Sequence, residues 1–188
     1  ISMSNVTDEV KNALSSLISG AGDIVSTTQN VARENVVKAL QNVGSVAEAG
    51  TTAVSDVITG GVEALSSTGG SITDGVTGLV RGVVDGAKDV GVDTTQAAGE
   101  AASTVVRSVS NVGGDVGGAA VSAVEGAIEA AGDIGADTGS LAKGAVLGAI
   151  KAADEISSDV GSLVRKALLN AAALPHDIID ALLTGKTE

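Results

Sequence analysis

The sequence contains no Phe, Trp, Tyr or Cys, and only one Pro, one His and one Met in 188 residues. Aromatic side chains each bury roughly 150–250 Å² and dominate the cores and ligand pockets of ordinary enzyme domains, so that route to a pocket is closed. Without aromatics there is also no stacking platform for nucleic-acid bases. The lack of cysteine excludes disulfides and thiolate metal sites. Positive charge is scarce as well: 11 Lys and Arg stand against 23 Asp and Glu, a net charge of −12. Affinity for nucleic acid rests on neutralising phosphates, so no nucleic-acid partner is expected, and strongly anionic membranes are disfavoured for the same reason. The longest stretch free of charge runs from Asn12 to Gly22. It is too short to span a bilayer, which takes about 20 apolar residues, so no transmembrane segment is expected.

Apolar residues nevertheless make up 44% of the chain, nearly all of them Ala, Val, Ile and Leu. Their order is periodic. Cut every eleven residues from Asn5, the sequence stays in one register to its end. The sixth place of the unit holds Val10, Ala21, Ala32, Val43, Val54, Leu65, Val76, Ala87, Ala98, Val109, Ala120, Ala131, Ala142, Ala153 and Val164. Of the 34 charged residues, 32 fall at places 1, 4, 7, 8 and 11, with only Glu9 and Lys186 elsewhere. Eleven residues over three turns is about 3.67 per turn, which sets the apolar places on one face of an α-helix and the charged places on the other. The fold class is therefore all-α: a long amphipathic helix or helices, packed on themselves as a bundle or fibre. The fifteen residues of the sixth place are the candidate packing or surface-covering face.

A second period, of twice eleven, appears in mid-chain, where Gly69, Gly91, Gly113 and Gly135 recur, followed by Asp93, Asp115, Asp137 and Asp159 at the same interval. Glycine on the edge of the apolar face permits close approach of another helix. Alternatively, Gly followed two residues later by Asp marks a helix end and the next helix start, giving a stack of helices of about 18 residues. The unbroken register favours the first reading, since turns are expected to disturb it.

Glycine also limits what the chain does alone. There are 26, and at about 1 kcal/mol each relative to Ala an isolated helix carries a penalty on the order of 20 kcal/mol. Order must come from burying the small-residue face. As one straight helix the chain would be about 280 Å long, so a compact state needs folding back. Residues 1–169 form the repeat region. Residues 170–188 are expected to form a C-terminal cap or docking helix, with Pro175 in the first turn of a short helix from Asp177 to Leu183.

Chemical motifs are few. His176 falls on the polar face and is expected to be solvated. Asp89 with Asp93, Asp133 with Asp137, and Glu155 with Asp159 stand four apart, as though on one helical face, and are expected to form a solvated acidic stripe. Lys11, Arg33, Lys88, Lys143 and Arg165 share the seventh place, a basic rail able to pair with acids on a neighbouring helix. Asn5-Val6-Thr7 matches a glycosylation acceptor, and Thr184-Gly185-Lys186-Thr187 lacks the earlier glycine of a phosphate loop. No cofactor, no metal and no enzymatic activity are expected. With Ile1 read as a processed terminus, the expected location is extracellular or at an interface.

At Gly75-Val76-Thr77-Gly78-Leu79-Val80, Gly86-Ala87-Lys88-Asp89-Val90 and Gly91-Val92-Asp93-Thr94-Thr95 the sequence resembles the eleven-residue repeats of perilipins, and more loosely those of synucleins and late-embryogenesis-abundant proteins. The resemblance implies a non-enzymatic, surface-active helix that becomes ordered on lipid or on drying. A neutral lipid surface is an expected partner on this resemblance, and further copies of the chain are expected from the unbroken small-residue face itself. The alternatives are a stress protectant, against desiccation or ice, and a carrier of an apolar ligand.

Overall fold

The computed structural model describes residues 4–18, 23–41, 46–171 and 174–184. Among them lie nine helices: α1 Ser4–Ile18, α2 Ile24–Leu40, α3 Val46–Thr68, α4 Ile72–Val90, α5 Thr94–Asn111, α6 Val116–Ile134, α7 Thr138–Ile156, α8 Ser158–Asn170 and α9 His176–Thr184. No strand occurs among the described residues.

The four recurring glycines are turns, which corrects the reading that they let another helix approach. Gly69, Gly91, Gly113 and Gly135 all have φ between 70° and 82°, the left-handed region that a Cβ disfavours. A side chain built on any of them would meet nothing within 4 Å, so no helix packs there. At each, the N–H of the residue after the glycine donates to the carbonyl five residues before it: Gly70 to Leu65, Val92 to Ala87, Gly114 to Val109 and Ala136 to Ala131, at 2.9 to 3.0 Å. These are Schellman closures, which satisfy carbonyls that the helix end leaves open.

The following aspartate then opens the next helix. Asp93 accepts from the N–H groups of Thr95 and Gln96, Asp115 from Gly118, and Asp137 from Ser140. Asp159 departs from the series. It lies in the first turn of α8, whose N-cap is Ser157. Ser157 also stands where the glycine series would continue, and the chain turns there through an extended residue, φ −172°. The register survives the turns for an arithmetical reason. A helix of 19 residues, as in α4 and α6, followed by three turn residues makes 22, two whole units.

The helices form two rows, α1, α3, α5, α7 and α9 in one and α2, α4, α6 and α8 in the other, with consecutive helices crossing between rows. From α1 to α7, each helix packs most extensively on the helix two places away in its own row. Neighbours within a row are parallel: Gly78, Gly82 and Gly86 of α4 face Val25, Gln29 and Arg33 of α2 in ascending order. Between rows the sense is antiparallel, and Leu65 of α3 lies on Gly75 of α4 while Leu79 of α4 lies on Gly61 of α3. The core between the rows is one continuous apolar cluster from Val10 and Leu14 to Leu174 and Ile179. It is built mostly of Ala and Val, so it is thin, and glycines bring the backbones close enough to fill it.

At the C-terminal end, the carbonyl of Pro175 accepts from Ile178 and Ile179 at 3.1 Å, and α9 packs on α7 and α8 with Ile179 buried.

Candidate functional site

The candidate face is the inner surface between the rows. Of its fifteen residues, Ala21 and Val43 lie outside the described residues. The other thirteen, from Val10 to Val164, are no more than 1% exposed. The face is thus enclosed within one copy of the chain, from α1 to α8. Among the described residues four large apolar side chains are exposed instead: Leu17, Leu147, Ile156 and Leu163.

Close seams hold each row. A Cβ on Gly78 would collide with Thr28 and the Val25 carbonyl of α2, one on Gly82 with the Gln29 carbonyl and Ala32, and one on Gly86 would lie 3.0 Å from the Arg33 carbonyl. In the other row Gly144 faces the Thr95 carbonyl, and Gly148 and Gly99 face one another across α7 and α5. Gly60 meets the Thr7 carbonyl of α1, and Gly126 meets the Thr77 carbonyl of α4. These glycines, absent from the sequence-based candidates, are the ones that permit close approach. Their signal was present in α4 as glycine at every fourth residue, 78, 82 and 86, the spacing of one helical stripe.

Charged edges run along the seams. Arg33 donates to Asp89 at 2.7 and 3.2 Å. Arg81 donates to Asp133 at 2.6 and 2.8 Å and to Glu129 at 3.1 Å. Lys11 pairs with Glu63 at 3.7 Å and Arg107 with Glu155 at 3.9 Å. In each pair the cation is on the earlier helix and the acid on the helix two places on. Of the basic rail, Lys11, Arg33 and Arg165 pair across helices, Arg165 with Asp154 at 2.6 Å. Lys88 and Lys143 make no ion pair among the described residues. The Arg81 guanidinium holds the Asp133 carboxyl below the ordinary carboxylate range, and Arg165 does the same to Asp154.

Three carboxyls are pushed the other way. Burial raises Asp56, Asp85 and Glu125 above the ordinary range, with Glu129 adding repulsion at Glu125. Asp85 is only 4% exposed; its Oδ2 accepts from Gln29 Nε2 at 2.9 Å, and its Oδ1 accepts from no described group.

The pairs of acids expected on one helical face are separated by turns. Asp89 ends α4 while Asp93 caps α5, Asp133 and Asp137 divide between α6 and the cap of α7, and Glu155 and Asp159 belong to α7 and α8. Among the described residues no three potential metal ligands come together. His176 is exposed at the start of α9. The Asn5 side chain and residues 185–188 lie outside the described residues. No helix among the described residues is long and apolar enough to cross a membrane. Comparison with protein-family models and with curated proteins finds no match.

Proposed function

We propose that the chain is a non-enzymatic structural or coating protein that stores its repeated small-residue face between two rows of helices and turns it outward to cover a neutral apolar interface or to pack against further copies. One observation carries this reading: among the described residues the buried face extends from α1 to α8 instead of gathering at one place. A site for one small ligand is local, whereas a face continued over eight helices describes a surface.

Local structure supports the exchange. α4 to α7 begin with a side-chain cap, and α3 to α6 end at a left-handed glycine. Helix ends closed in this way remain satisfied when neighbours part, so the caps are kept when the face passes from another helix to another apolar surface. What parting costs is the apolar contact, and an apolar surface returns it at about 25 cal/mol per Å² covered. Resemblance to perilipin repeats supports the lipid arm of the proposal. The net charge of −12 points to neutral rather than anionic lipid.

The test is flotation of the dilute chain with a neutral triglyceride emulsion, alongside far-UV circular dichroism and sedimentation at rising concentration. Helicity kept on the floated droplet, or concentration-dependent assembly without lipid, is the expected result. A chain that neither floats nor associates at any concentration overturns the proposal.

A further inference from the structure

The seam between α2 and α4 has a polar group at its centre that fits it poorly. Asp85 is on α4 one residue before Gly86 and three after Gly82, the two glycines that bring α4 against the Gln29 and Arg33 carbonyls of α2. At such a contact the carboxyl has little room to turn toward solvent. Its single donor is Gln29, and Oδ1 is buried without a partner among the described residues.

The cations beside it are committed elsewhere. Arg33 of α2 holds Asp89 through two hydrogen bonds, and Arg81 of α4 holds Asp133 and Glu129 of α6 through three. Their charges favour ionised Asp85, while Asp133 of α6 opposes it, and burial outweighs both. From α3 and α5, which also pack on α4, no charged group acts on it among the described residues. An ionised carboxylate with one neutral donor is costly to bury; the protonated acid is far less so.

We infer that Asp85 is a pH-sensitive latch on the α2–α4 seam, closed when its carboxyl is protonated and weakened when it ionises. The folded chain binds this proton more tightly than the unfolded chain does. The stability it contributes is therefore full below the ordinary carboxylate value of 3.8 and is lost as pH rises through the raised folded value. α2, which rests mainly on α4, is the element loosened at higher pH. The latch stands independently of the proposed function.

The experiment compares thermal unfolding of the full chain and of Asp85→Asn from acidic to neutral pH. Taking the difference between the two cancels the titration of Asp56, Glu125 and the remaining acids. The variant is expected to gain on the natural sequence as pH rises, by roughly 3–5 °C in midpoint for each pH unit by which burial raises the carboxyl. Amide exchange, corrected for its intrinsic pH dependence, is expected to show protection in α2 falling with pH in the natural chain and not in the variant. A midpoint difference that stays flat with pH, or that shrinks toward neutrality, overturns the latch. Should Asp85→Asn fail to fold, Gln29→Leu replaces it: loss of this donor is expected to carry the decline of stability further toward neutral pH, and an unchanged pH profile overturns the inference.

Discussion

Replacing Gly82 and Gly132 by Ala, one at a time, tests whether the rows are held by backbone contact. Both glycines lie inside helices, α4 and α6, so each substitution gains about 0.5–1 kcal/mol from the lower helix propensity of glycine. Their surroundings differ. A Cβ on Gly132 meets nothing within 4 Å, whereas one on Gly82 lies 2.8 Å from the Ala32 Cβ and closer still to the Gln29 carbonyl oxygen. Carbon atoms in ordinary contact are about 3.5–4.0 Å apart, so α2 must retreat by roughly 1 Å. Gly78 and Gly86, one turn to either side, share the seam, and a retreat at Gly82 loosens them too. Overpacking of this kind costs about 1–3 kcal/mol. Because the propensity gain is common to both variants, the difference between them reports the seam alone. For a chain of this length the two melting midpoints should separate by roughly 2–12 °C, with Gly132→Ala above the natural sequence. The assay is reversible thermal or urea unfolding followed at 222 nm, the usual helix band. Equal stabilisation by both substitutions would falsify the close-seam packing of α4 on α2.

Turn chemistry makes a second prediction: Gly91→Ala, at φ 82°, should cost roughly 1–2 kcal/mol, and Asp93→Ala about 0.5–2 kcal/mol from loss of the α5 cap, both measured as shifts in urea midpoint at unchanged slope. Arg81→Gln removes the cation shared by Asp133 and Glu129. Because Arg81 is still 28% exposed, the loss at ordinary salt should be about 1 kcal/mol or less and should shrink further at high salt. In the same variant the Asp133 carboxyl should rise toward its ordinary range, observable by carbon NMR titration; an unmoved titration would show that the ion pair does not form in solution.

Much of this architecture was legible from residue order. Helix, the identity of the buried face and the mainly solvent-facing charges follow from a period near 3.6, which depends only on how side chains project from a single helix. The C-terminal helix was legible from Pro175, which fixes its own φ and lacks the N–H that a helix interior requires. The turns were legible only as one of two readings. Gly91 followed by Asp93 is compatible with a turn or with a glycine inside a helix, and the undisturbed register argued for the wrong one, because 19 helical residues and three turn residues happen to sum to two units. Ser157, in the place of a fifth glycine, shows that the periodic series does not by itself say where a turn is made.

Pairing between helices was hidden for a different reason. That α4 rests mainly on α2 and α6, rather than on its sequence neighbours α3 and α5, depends on where each turn directs the chain, and amphipathic patterning is the same for every such arrangement. Asp85 shows the consequence. By its place in the repeat it belongs to the polar face, and on an isolated helix it would be hydrated. It is buried because Gly82 and Gly86 admit the backbone of α2 directly over it, bringing Gln29 near while Arg33 and Arg81 close on other acids. Local patterning settles which side of a helix avoids water. Contact between distant segments settles which polar groups on the other side lose their water as well, and those are the groups whose protonation the fold controls.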